Sequence, residues 1–125
     1  MRILLDTHLL LWTLSAPLKL SKETRRLIDT SGVYVSAASI WEIAIKVSLG
    51  KLKANPEQVL SAIEPAGLML LPVQGEHAAR IARLPPLHKD PFDRMLVAQA
   101  YTEPMILLTN DRSLEGYGDL IRVVT

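Results

Sequence analysis

The chain has 125 residues, no cysteine, a net charge of +1 and 49% hydrophobic residues. That length suits one domain over residues 1–125, able to bury roughly two-thirds of the surface its unfolded chain exposes. The composition excludes disulfides and thiolate metal sites. With aromatics at only 5%, it also speaks against a single-strand binder built on stacking platforms. The near-neutral charge means that any polynucleotide is held by a local basic patch, not by the whole surface.

In chain order, the first element is a short strand, Arg2–Leu5, followed by a helix over His8–Leu14. Met1-Arg2 and the apolar stretch to Leu14 look superficially like a secretory signal. Asp6 and His8 interrupt it, no small-residue cleavage site follows, and no run approaches the roughly 18 apolar residues of a membrane span. The expectation is a soluble cytoplasmic protein with no membrane contact. A helix over Ser21–Asp29 precedes a strand at Val33–Ser36, a helix at Ala38–Leu49 and another at Pro56–Ile63, which Asn55-Pro56 opens. Then come a strand at Leu68–Val73, a helix at Glu76–Leu84, a proline-rich loop from Leu84 to Pro91 and a helix at Pro91–Tyr101. Strands at Met105–Thr109 and Leu120–Val124 complete the chain. The strands are apolar runs without alternation, as sheets covered on both faces require. Strands alternating with helices predict an α/β fold: a three-layer α/β/α sandwich with a central, mostly parallel sheet, Rossmann-like in its winding.

Four acids fall where such a fold puts chemistry. Asp6 ends the first strand, Glu42 and Asp93 lie in the first turns of helices, and Asp111 follows Met105–Thr109. In a doubly wound sheet the strands' carboxyl ends and the next helices' N-termini share one edge, where ligands bind. Each acid also has a structural explanation. Asp6 and Asp111 suit the caps of short helices, and Ser39-Ile40-Trp41-Glu42 matches a capping box with Glu42 reaching back to the Ser39 amide. Asp90-Pro91-Phe92-Asp93 is a strong helix start. Two features favour a joint site over four separate caps. Asp93 shares a stripe with Leu96, Val97 and Ala100, and Glu42 is one of two charges in the otherwise apolar Ile40–Leu49. Carboxylates gathered there need a cation, and oxygen-only ligands suit Mg²⁺ or Mn²⁺. The chemistry implied is metal-assisted phosphodiester cleavage, in which a bound water of lowered pKa attacks and no protein nucleophile is needed. Asp90 is an auxiliary acid that N-capping alone explains.

Other residues are secondary. Arg94 and Arg112, each beside a site acid, suit phosphate anchors. Lys46, four residues after Glu42, suits a helical ion pair. His8, His77 and His88 lack zinc spacing, and His8 and His88 are at most substrate contacts. Gly116-Tyr117-Gly118 lacks the strand–turn–helix setting of a phosphate loop.

ILLDTHLLLW (3–12), VSAASIWEIAIKVSLGKL (35–52), HKDPFDRMLVAQA (88–100) and LLTNDRSL (107–114) together resemble the PIN-domain family, specifically its VapC-type toxin ribonucleases. The resemblance spans nearly the whole chain, and its most specific stretch is DPFDRMLVAQA after a histidine. It implies a metal site from Asp6, Glu42, Asp93 and Asp111, with Thr109 bonding a carboxylate or a metal-bound water. It also implies cleavage of RNA to 5′-phosphate and 3′-hydroxyl ends, and neutralisation by a small antitoxin protein. Many family members carry Ser or Asn where this chain has His8, so no ligand role is carried onto that position. A homodimer or an antitoxin groove is expected to use part of the apolar cluster Leu9, Leu10, Leu11, Trp12, Leu14, Leu18 and Leu20. Two rival readings are a receiver-like phospho-acceptor domain and a catalytically silent binding module whose acids are helix caps.

Overall fold

The computed structural model describes residues 1–124. Five strands form one parallel sheet: β1 (Arg2–Leu5), β2 (Gly32–Ser36), β3 (Met69–Leu71), β4 (Ile106–Thr109) and β5 (Ile121–Val123), in the order β3-β2-β1-β4-β5. Helices α1 (Thr7–Ser15) and α2 (Lys22–Asp29) connect β1 to β2, and α3 (Ala37–Ser48) and α4 (Pro56–Ile63) connect β2 to β3. Helices α5 (Gly75–Arg80) and α6 (Pro91–Thr102) carry the chain from β3 across to β4. A 3-10 helix over Arg112–Tyr117 joins β4 to β5.

Period-two alternation in β1 divides the core between two layers. Ile3 and Leu5 pack with Leu9, Leu10, Val33, Val35 and Ile43 on one face. Leu4 packs with Leu96, Val97, Ala100 and Leu107 on the other. The sheet is therefore covered on both sides at its centre, where Ile3, Leu4, Leu5, Leu107 and Leu108 are wholly inaccessible. The edges differ. Met69 and Leu70 of β3 remain 43% and 44% exposed, because β3 is a terminal strand of the sheet. The apolar run at Leu68–Val73 thus yields only three residues of ladder.

The start of α3 departs from the sequence expectation. Ser36 is its N-cap and accepts from the Ala38 amide, so the helix begins one residue earlier and Ser39 lies inside its first turn. There is no Ser39–Glu42 capping box; the Glu42 carboxylate is turned toward α1 instead. After α3, Gly50 adopts φ +72°, a left-handed conformation that favours glycine at a helix C-terminus.

The order 3-2-1-4-5 places the topological switch between β1 and β4, since the chain leaves β1 toward β2 and returns on the opposite side at β4. It differs from the 2-1-3-4-5 order of receiver-type domains. No acidic residue directly follows β3, which runs into Pro72-Val73-Gln74-Gly75. The receiver-like alternative loses both its topology and its acceptor.

Candidate acidic cleft

A cleft of about 100 Å³ opens at this switch point, lined by Asp6, Thr7, His8, Glu42, Lys46, Asp90, Asp93 and Asp111. The four acids expected to act together are thus brought together.

Asp6 arrives on the end of β1. One carboxylate oxygen accepts the Leu9 amide, capping α1, and the other accepts the Thr109 hydroxyl at 2.5 Å. Its backbone amide donates to Leu108, which extends the β1–β4 pairing to the rim of the cleft. Burial pushes the Asp6 carboxyl above its ordinary pKa, against the pull of the Thr109 and Leu9 hydrogen bonds. Capping and site membership prove compatible here, because one oxygen serves each.

Glu42 is buried and held from two sides. Thr7 Oγ1 lies 2.7 Å from its Oε1 and Lys46 Nζ 2.7 Å from its Oε2. Thr7 has one hydroxyl proton and gives it to the carboxylate, so Ser39, 3.0 Å away, donates to Thr7 in turn. The helical Lys46–Glu42 ion pair is present. The hydrogen bond to Glu42 holds the Lys46 ammonium above its ordinary pKa, with help from Asp90 and Asp93.

Asp93 projects from the first turn of α6. Asp90 caps that helix by accepting the Phe92 and Asp93 amides, and Pro91 occupies the first helical position. Burial is the main cause of an Asp93 pKa raised to about 6; Asp90 and Glu42 push the same way and the His88 hydrogen bond opposes them. Asp111 sits on the more open side. Hydrogen bonds from Ser113 hold its carboxyl below the ordinary value.

His88 is the residue that sequence reasoning undervalued. Its Nε2 lies 2.8 Å from Asp93 and 4.0 Å from Asp111, and its Nδ1 lies 3.4 Å from Ser113 Oγ. His88, Asp93 and Asp111 offer ligand atoms within 4.8 Å of one another. Asp6 and Glu42 line the same cleft outside that tighter group. The position of His88 depends on Arg94, whose guanidinium donates to the carbonyls of Ile81 and His88. Arg94 is therefore engaged in bracing the Pro85–Asp90 loop, whereas Arg112 is exposed and, among the described residues, pairs with Glu115 alone. The signal for His88 was its place two residues before the Asp90-Pro91 helix start, which puts a short loop directly over the first turn of α6.

The donor set fits a hard divalent cation. Carboxylates converge from four separate segments, and one of them, Asp93, retains its proton to about pH 6 because burial, helped by Asp90 and Glu42, disfavours its charge. Oxygen donors with one adjacent imidazole suit Mg²⁺ or Mn²⁺ better than a soft metal.

Comparison with known proteins agrees with this architecture. Among solved structures, the chain is similar to one from VapBC2 of Rickettsia felis bound to a promoter DNA fragment, with TM-score 0.74, 16% identity and full coverage of both chains. It is also similar to one from DNA-bound VapBC of Salmonella typhimurium, with TM-score 0.70, 19% identity, and coverage of 98% of this chain and 96% of that one. A toxin–antitoxin complex from Klebsiella pneumoniae gives TM-score 0.66 and 14% identity over 97% and 96% of the two chains. At these identities the likeness is one of fold. No curated protein matches the chain by sequence. The PIN domain family model matches residues 3–120, so the chain belongs to the PIN domain family.

Proposed function

We propose that this PIN domain is a metal-dependent endoribonuclease that hydrolyses RNA phosphodiester bonds as the toxin of a toxin–antitoxin pair. The observation that carries this reading is the convergence of Asp6, Glu42, Asp93 and Asp111 on one cleft at the sheet's switch point. In this reading the four acids hold Mg²⁺ or Mn²⁺. A bound divalent ion would supply a water of lowered pKa and neutralise charge on the phosphoryl oxygens.

The surrounding residues do the positioning. Thr109 fixes the outer oxygen of Asp6, Thr7 and Lys46 fix Glu42, and Asp90 sets the start of the helix that carries Asp93. Arg112 contacts substrate phosphate, while Arg94 contributes by holding His88 in place. An antitoxin partner is supported by the likeness to a chain of a toxin–antitoxin complex. A homodimer or antitoxin contact is supported by Leu18, which is 84% exposed, and by Trp12, which is only partly buried. Leu9, Leu10 and Leu20 belong to the core, so this contact uses only the outer part of the cluster named from sequence.

Incubation of the purified protein with total RNA in Mn²⁺, Mg²⁺ or EDTA, followed by mapping of the cut ends, tests the reading. Divalent-dependent cuts bearing 5′-phosphates are expected. Asp6→Asn and Asp93→Asn should remove them, and Glu42→Gln should do nearly as much. Asp90→Asn should retain more activity because Asn also caps well. Folded Asp93→Asn protein that cleaves like the wild type would instead favour a silent module with capping acids.

A further inference from the structure

A second cavity, of about 240 Å³, lies at the same sheet edge on the β4–β5 side. Ser21, Glu23, Thr24, Asn110, Arg112 and Arg122 supply its polar lining. It adjoins the acidic cleft through three consecutive residues: Asn110 and Arg112 line this cavity, while Asp111 between them lines the cleft. Arg122 is in register with Leu108 on β4, which directs its side chain to the face that carries α2. The N-terminus of α2, capped by Ser21, forms the opposite wall.

We propose that this cavity is a backbone-phosphate subsite, in which Arg122 and Arg112 hold a phosphodiester flanking the scissile one. The proposal rests on the ribonuclease reading and says how RNA stays on a protein whose net charge is only +1. Two guanidiniums, an Asn amide and a helix N-terminus are suitable partners for phosphate oxygens. The existing ion pairs leave those guanidiniums able to exchange partners. Arg122 reaches Glu23 only at 4.0 Å and Arg112 reaches Glu115 at 3.3 Å, with all four side chains substantially exposed. Exposed pairs of this kind contribute little, and a phosphate that accepts two parallel N–H bonds outcompetes them. The acidic cleft is a poorer anchor, because its lining is dominated by carboxylates and its Lys46 is already paired with buried Glu42.

The test uses an RNA oligonucleotide carrying a cleavage site mapped from total RNA, with kinetics in Mn²⁺ and fluorescence-anisotropy binding in EDTA. Arg122→Gln should raise KM and the EDTA dissociation constant by about tenfold. The slope of log affinity against log salt should become shallower by about 0.7, the value for one lost single-strand phosphate contact. Arg122→Lys should restore most of the slope, since the charge remains. Methylphosphonate replacement of the flanking phosphate should weaken wild-type binding and weaken Arg122→Gln no further. Melting curves should show each variant folded, as expected for a half-exposed side chain on an edge strand. If the wild type cleaves while Arg122→Gln keeps the same KM, dissociation constant and salt slope, the subsite is overturned and the nuclease reading stands. If the wild type neither binds nor cleaves RNA with Mn²⁺, the ribonuclease reading itself falls and takes the subsite with it.

Discussion

Burial and two acidic neighbours leave the Asp93 carboxyl holding its proton to about pH 6, although an ordinary aspartate loses it near 3.8. Below pH 3.8 the group is neutral in both folded and unfolded chains. Between 3.8 and about 6 the folded chain keeps a proton that the unfolded chain releases, so stability falls as pH rises through that window. The side chain is 24% exposed, and the shift corresponds to about 1–3 kcal/mol. Asp93→Asn should therefore stabilise the metal-free protein at neutral pH by an amount of that order and flatten its pH dependence below pH 6. Urea denaturation in EDTA across this range measures both effects. If Asp93 served only the helix dipole, the Asn variant would lose about 0.3–1 kcal/mol instead. Asp111 works in the opposite direction, because hydrogen bonds from Ser113 lower its pKa. Its carboxylate is 43% exposed, so screening leaves it a small part of the acid response.

Helices α3 and α6 bring Glu42 and Asp93 to the cleft, and the residue before each acid helps to join them. Trp41 and Phe92 meet edge to face with ring centroids 5.0 Å apart. Such a pair contributes about 0.5–1.5 kcal/mol beyond its area. Phe92→Leu should lower stability by about that much and weaken Mn²⁺ binding, measured by titration, through loss of alignment between α3 and the first turn of α6. Ser36→Ala should cost about 0.5–2 kcal/mol by removing the α3 cap, read from urea midpoints. The sequence pattern pointed to Ser39 as the cap, since Ser-Ile-Trp-Glu satisfies the capping-box spacing. Local spacing could not reveal that Thr7, thirty-five residues away in sequence, would claim the Glu42 carboxylate. By contrast, Asp90-Pro91 and the apolar strands were legible because their causes are local: a fixed proline φ, a cap three residues from its amide, and runs too short and apolar for amphipathic helices. The convergence of Asp6, Asp93 and Asp111 on one edge was legible for the same reason, each standing beside the start or end of such an element. His88 was not, because Arg94 places it by bonding two carbonyls whose proximity exists only in the folded chain. The exposed β3 edge was likewise hidden, since an apolar run does not say whether its strand is central or terminal.

For the protein as a whole, the proposed function makes the cleft a point where proton binding, cation binding and folding are coupled. A divalent ion that binds the folded chain stabilises it by about 2.7 kcal/mol at a hundredfold excess over its dissociation constant. Carboxylate ligands must be ionised to receive it, so protons compete at Asp93 below about pH 6. Without metal, rising pH charges a crowded cleft and lowers stability. In the proposed reading, the same ionisation would create the ligand set for Mn²⁺ in excess. The melting temperatures in EDTA and in Mn²⁺ should therefore lie close together near pH 5 and separate steadily toward pH 7. In Asp93→Asn the two curves should stay nearer one another at every pH, because the competing proton and one ligand have both been removed. Asp90→Asn should separate much as the wild type does, since its carboxylate already serves the Phe92 and Asp93 amides and Asn can replace it there. Wild-type curves that run parallel in EDTA and Mn²⁺ from pH 5 to 7 would leave the acids as caps and remove the cation from the account.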